Sequence, residues 1–258
     1  MLDFQEILAA YPPPLQTMPK FLLREYLQYK ILQHLYKHPD YAERLIFLGG
    51  TCLRLVHQNA RFSEDLDFDN RGLSREDYEV ITRHVQAELE REGYAVEINN
   101  VYHAAYRCHV RFPALLYQAG LSGHLEEKIL IQLDCQPQGI EYEAEPFLLQ
   151  KFDVFTQIYI TPLDLLLSQK IYALLNRKRS KGRDFYDTVF LFGKTRPNFD
   201  YLEKKMGIAS PSMLKERLLE LCRTTDLNAM AVDVKPFLFN SSDIKRVELF
   251  EMFIRQTL

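Results

Sequence analysis

Asp65 and Asp67, in the stretch FSEDLDFDN, are separated by a single apolar residue. On an extended strand that spacing sends both carboxylates to the same side. Like charges so placed repel each other unless a cation lies between them. Carboxylate oxygens are what a hard ion such as Mg²⁺ (or Mn²⁺) takes as ligands, with positions left for phosphate or water. A bare Asp-x-Asp is otherwise an ordinary solvated strand end. Here, however, Gly49, Gly50 and Thr51 stand just upstream, where a helix begins, and the free N–H groups of a helix start suit phosphate. A dication on one side and phosphate on the other are the equipment for handling a nucleoside triphosphate. Asp134 ends the apolar run KILIQLDCQ. On a neighbouring strand it would add a third carboxylate, a metal ligand that can also accept the proton of an attacking hydroxyl.

Asp65, Asp67, Asp69 and Glu76 also fall on positions one, three, five and twelve of a calcium-binding EF-hand loop. Position six is Asn70, where the sharp turn calls for Gly, and Leu66 and Phe68 inside the run suit a strand, so calcium is not the expectation. A second cluster lies in QKIYALLNRKRSKGRDFYD. Lys170 and Arg177 are two helical turns apart and so share a helix face. Arg177, Lys178, Arg179, Lys181 and Arg183 then follow with no acid among them. Such a run is either a solvated helix end that complements the dipole or an anion site. Lys170 and Arg177 are the candidates for a nucleotide, and Lys178, Arg179, Lys181 and Arg183 for a polyanionic acceptor. Asp184 and Asp187 are placed to orient the arginines. The chain has no G-x-x-x-x-G-K-[ST] loop, no Cys/His ligand spacing and no nucleophile elbow.

The elements that must position these residues are legible in outline. PKFLLREYLQYKILQHLYKHPDY reads as a long amphipathic helix, RLIFLGG as a buried strand stopped by glycine, TCLRLVHQN as a helix of about two turns, and EDLDFDN as a strand. A helix follows from Ser74, with Asp77 three residues on as a near relative of the capping box. YAVEINNVYH, AYRCHVRF and KILIQLDCQ read as antiparallel strands, and FDVFTQIYI as a strand or an extended arm. From Thr161 the texture is helical in five segments, the first opened by Thr161 as cap and Pro162 at the first helical position. The expected organisation is α+β. Residues 1–160 form a domain with a mixed sheet flanked by helices and an N-terminal helix, and 161–258 form a mainly helical domain that completes the cleft.

The 258 residues, 47% apolar and 26% charged, are those of a globular chain long enough to bury a real core. Cys52, Cys108, Cys135 and Cys222 are scattered, which points to reduced thiols and a cytoplasmic setting. No stretch has the length of a membrane span, and the acidic start argues against a signal peptide. A net charge of −3 argues against a general nucleic-acid coat and leaves room for the local basic run.

GGTCLRLVHQNARFSEDLDFD strongly resembles the first motif of the AbiEii/AbiGii-type nucleotidyltransferase toxins, part of the DNA polymerase β-like superfamily. Gly50, Thr51, Ser63, Asp65, Asp67 and Phe68 match its pattern, and Lys170, Arg177, Arg183, Asp184, Tyr186 and Asp187 fall on the family's downstream motifs. The resemblance implies a nucleotidyltransferase-type sheet and metal-dependent transfer of a nucleoside monophosphate from ATP, GTP, CTP or UTP, with pyrophosphate released. Asp65 and Asp67 would hold Mg²⁺, Gly50, Thr51, Ser63 and Lys170 would contact the triphosphate, and Asp184 or Asp187 would position groups across the cleft. Family members act as toxins of toxin–antitoxin or phage-defence systems, some on tRNA ends, so RNA and a cognate antitoxin are the implied partners. The rival readings are a small-molecule or protein hydroxyl as acceptor, and a catalytically silent binding module.

Overall fold

The computed structural model of the chain describes residues 2–103 and 105–258, the side chain of Pro39 excepted. The chain divides into two compact units, residues 1–58 with 62–160, and residues 59–61 with 161–258.

The first unit is built on a seven-stranded mixed sheet. Its strands are β1 (Leu45–Leu48), β2 (Leu66–Asn70), β3 (Glu97–Tyr102), β4 (Tyr106–Phe112), β5 (Ile129–Gln136), β6 (Glu145–Lys151) and β7 (Val154–Ile160), in the order β3-β4-β5-β2-β1-β7-β6. β2 runs parallel to β5 and β1 parallel to β7, and the other neighbours are antiparallel. The expected antiparallel set β3-β4-β5 is present. FDVFTQIYI is a strand, β7, and its hairpin partner β6 is one the sequence reading missed.

The helices of this unit are α1 (Phe4–Ala9), α2 (Pro19–Tyr36), α3 (Pro39–Ala42), α4 (Gly49–Leu55), α5 (Arg75–Arg91) and α6 (Leu115–Gln118). α2 differs from the expected amphipathic helix in two ways. It stops at Tyr36, because the residue before Pro39 is steered out of helical geometry, and it is buried nearly all round. Glu25, Gln28, Lys30 and His34 are as inaccessible as its leucines. Each has a partner: Glu25 pairs with Arg54 and Lys151, Lys30 with Glu92 and Asp153, His34 with Glu92. The Gln28 amide donates to the Ser63 and Glu64 carbonyls, both at 3.0 Å. α5 opens as expected, with the Ser74 hydroxyl and the Asp77 carboxylate exchanging backbone hydrogen bonds in a full capping box.

In the second unit, α7 (Leu163–Asn176), α8 (Gly182–Phe192), α9 (Phe199–Met206), α10 (Pro211–Thr224), α11 (Leu227–Val234), α12 (Lys245–Glu248) and α13 (Phe250–Thr257) pack around Phe185, Leu191, Leu202, Leu214, Leu218 and Phe250. α7 corrects the expected opening: Pro162 is itself the cap residue and Thr161 is buried one position earlier. α11 was not anticipated, and the last expected helix is broken in two at Leu249, whose backbone is not helical. Residues 59–61 join this unit through an antiparallel bridge from Arg61 to Leu238 and a hydrogen bond from the Phe239 N–H to the Ala60 carbonyl.

Candidate active site

Two carboxylates of the first unit, those of Asp67 and Asp134, sit on one row across the sheet. In register, Leu48 of β1 faces Asp67 of β2, Asp67 faces Asp134 of β5, and Asp134 faces Arg107 of β4. Neighbouring strands are about 4.8 Å apart, so these side chains are close lateral neighbours. Directly after Leu48, Gly49 turns the chain into α4 with φ +80°, a conformation side chains of L-residues resist. The Asp67 carboxylate occupies the space a Cβ at Gly49 would fill, with Asp67 Cβ only 2.9 Å from that position. Gly49 is therefore required twice over, for the turn and for the acid beside it. The helix thus begins at Gly49, two residues before the expected Thr51.

Asp65 lies just ahead of β2, not within it, and its segment is held by backbone contacts. Gln28 binds the carbonyls of Ser63 and Glu64, and the buried Thr51 hydroxyl donates to the Asp65 carbonyl. Thr51 thus ties α4 to the segment that leads into β2. Gly50 is buried in the first turn of α4. Asp69, the third acid of the run, is buried and accepts from the Gln138 N–H and the Tyr142 hydroxyl, both at 2.8 Å. It shapes a loop, and the extended β2 rules out a wrapped EF-hand. Cys52, next to Thr51, is held as a thiol by full burial and by the charge of Asp67, so it is no nucleophile.

Asp134 is engaged on both oxygens, by Arg107 Nε at 2.7 Å and Gln132 Nε2 at 2.8 Å. Among the described residues no three His, Cys, Asp or Glu side chains gather into a metal-binding group. Asp65 and Asp67 nonetheless fit a hard divalent cation by donor chemistry, and the Gly49 cradle keeps the Asp67 carboxylate in place beside the turn.

The second unit holds a separate cluster. Lys170 Nζ lies 2.8 Å from Asp187 Oδ2 and 3.2 Å from Asp184 Oδ1. Arg177 Nε is 3.4 Å from Asp184 Oδ2, although Arg177 has left the helix and is extended. Asp187 is fully buried and is gripped by Arg61 through Nε and Nη2, both at 2.6 Å, and by Asn59 Nδ2 at 2.8 Å. Burial alone would drive the Asp187 carboxyl up, but Arg61 and Lys170 outweigh it and hold its pKa at about 2. Burial would likewise discharge Lys170, yet Asp187 and Asp184 keep its ammonium above the ordinary lysine value. Three cations against two carboxylates leave one net positive charge. Asp184 and Asp187 orient cations, as their position after the basic run suggested, while Arg61 and Asn59 were missed. Lys178 and Arg179 are exposed, and Lys181 and Arg183 half-buried, at the start of α8.

A mixed sheet carries Asp67 and Asp134 on neighbouring strands beside the Gly49 turn, and a mainly helical unit follows it in the chain. Residues 30–231, well over half the chain, match the family described as nucleotidyl transferase AbiEii toxin, type IV toxin–antitoxin system, and the chain belongs to that family. No curated protein matches it significantly in sequence. Among solved structures it is similar to JHP933 from Helicobacter pylori, with TM-score 0.56, 19% identity and 92% of each chain covered. It is also similar to MenT4, a nucleotidyltransferase toxin from Mycobacterium tuberculosis, with TM-score 0.58, 15% identity, and 99% of this chain and 90% of that one covered. At these identities the likeness is one of fold. Among the described residues no helix is long and apolar enough to cross a membrane.

Proposed function

We propose that the protein transfers a nucleoside monophosphate from a triphosphate to an RNA acceptor, with tRNA the first candidate, and that the reaction depends on Mg²⁺ or Mn²⁺. The observation that carries the reading is the Asp67 carboxylate lodged against Gly49, on a strand whose entry at Asp65 is fixed by Thr51 and Gln28. Asp65 and Asp67 would hold the ion, which when bound neutralises phosphate charge and aligns the α-phosphate for attack. Lys170 has three N–H donors; two go to Asp187 and Asp184, and one is left for a phosphate oxygen. Arg177, 40% exposed, adds charge to the same end. Asp134, held by Arg107 and in register with Asp67, would take the proton of the acceptor hydroxyl. Asp184, Asp187 and Arg61 then serve as positioning groups for Lys170. A cognate antitoxin and a cytoplasmic setting accompany this reading.

The test is incubation with each labelled triphosphate and total tRNA, with and without divalent ion. Label should enter RNA with the parent protein and not with the folded Asp65→Asn, Asp67→Asn variant. Undiminished labelling by that variant would remove the assignment of the two acids. Label appearing only in protein or small molecules would move the acceptor to those classes.

A further inference from the structure

Asp65 and Asp67 are anchored by different means. Asp67 lies inside β2, in register with Leu48 on one side and Asp134 on the other, so two neighbouring strands hold its backbone. Asp65 stands one residue ahead of the strand and outside both registers. Its place depends on the residues leading up to it, and these are gripped by one face of α2.

Phe21, Arg24 and Gln28 follow one another at steps of three and four, so they form a stripe along that helix. The Phe21 ring stacks on Phe62, with centroids 5.1 Å apart and planes 10° from parallel. Arg24 Nη1 donates to Glu64 Oε1 at 2.9 Å. Gln28 Nε2 donates to the Ser63 and Glu64 carbonyls, each at 3.0 Å. With the Thr51 hydroxyl on the Asp65 carbonyl, three successive carbonyls accept from side chains of two helices. A side-chain amide nitrogen carries two hydrogens, so Gln28 has both of its donors committed here. Gln28 is only 1% exposed, so water does not compete for that amide. All three residues of the stripe precede residues 30–231, the part of the chain that matches the family.

We propose that this stripe is a positioning device for the acidic pair, with Gln28 its chief member. It sets the divalent-ion affinity of the pair from outside the family match, and it rests on the reading of Asp65 and Asp67 as the ion's ligands. A hard ion such as Mg²⁺ accepts little error in ligand distance, about 2.0–2.1 Å to each oxygen. One ligand is placed by the sheet and the other by the helix stripe. A slip of residues 63–65 therefore changes the relation of the two carboxylates and loosens the ion while the sheet stays whole.

The test is titration with Mn²⁺, read from the electron paramagnetic resonance signal of the free ion, beside thermal unfolding of each variant. Gln28→Met keeps the length of the side chain and removes both N–H donors. It should bind Mn²⁺ about tenfold more weakly than the parent, the low end of what losing an outer support of a metal ligand costs. The Mg²⁺ concentration for half-maximal transfer should rise by a larger factor than the saturating rate falls. Ser74→Ala, in the cap of α5, controls for lost stability alone and should bind Mn²⁺ as the parent does. Should Gln28→Met fail to fold, Arg24→Met decides in its place, because its ion pair is part-exposed and its loss leaves both carbonyl bonds standing. Weaker Mn²⁺ binding is again the expected result. Parent-like affinity in the deciding variant would overturn the proposal, as would an equal loss in Ser74→Ala. The Asp65→Asn, Asp67→Asn variant separates the two questions. If it binds Mn²⁺ as the parent does, the reading of the acids falls and this proposal with it. If it loses Mn²⁺ while Gln28→Met does not, the proposal alone falls.

Discussion

Gly49 and Asp67 compete for one small volume, and the residue types settle the competition in favour of the acid. Gly49→Ala adds both a strained left-handed alanine and an overlap with the Asp67 carboxylate. It is expected to cost about 1–3 kcal/mol of stability, read as a lower Tm, and to depress transfer by displacing the acid. The two other acids differ sharply. Asp187→Asn strips the counter-charge from buried Arg61 and Lys170 and should destabilise by about 3–5 kcal/mol in denaturant unfolding. Asp134→Asn breaks a half-exposed pair with Arg107, worth about 0–1 kcal/mol, so its loss should fall on turnover and spare the fold.

The Asp187 contribution has a defined pH window. Its folded pKa, about 2, lies below the unfolded value of about 3.9. The stabilisation is therefore whole above about pH 4 and lost as pH falls through about 2, and acid unfolding of Asp187→Asn should lack that component. The acids, Lys170 and the basic run were legible from residue type and spacing. Arg61 was not, because its partner is 126 positions away and the local sequence gives no hint of it.

At the scale of elements, period and capping chemistry carried most of the fold. The α5 start illustrates this, since Ser74 and Asp77 form the reciprocal cap that their spacing suggests. Ser74→Ala should cost about 1 kcal/mol in thermal unfolding with transfer unchanged. α2 was recognisable as a helix but not as a buried one, because its polar residues find partners on distant elements: Glu25 on Arg54 and Lys151, Gln28 on the segment before β2. β6 escaped notice because its sequence, EPFLLQK, opens with Glu and Pro and lies at a sheet edge, where alternation is weak. α11 spans only eight residues, too few for a clear helical period.

For the whole molecule, a net charge of −3 leaves the exposed cations after α7 as the place where a polyanion would be drawn in. Neutralising Lys178, Arg179 and Lys181 together should weaken tRNA binding and flatten its salt dependence by about one unit of slope per lost phosphate contact, with triphosphate affinity little changed. Titrating tRNA and nucleotide separately at several salt concentrations measures both. An unchanged slope would reduce the run to a solvated helix end.

Asn59, Ala60 and Arg61 also bear on how such a chain can be inherited. A gene cut at codon 160 would seem to separate two modules, yet the second unit draws three residues from a stretch a hundred codons earlier. A fragment of 161–258 would carry Asp187 without the guanidinium that grips it. Exchange of helical halves between relatives would succeed only where the donor's 59–61 segment travelled with them, so recombination at that boundary alone should yield chimaeras that misfold.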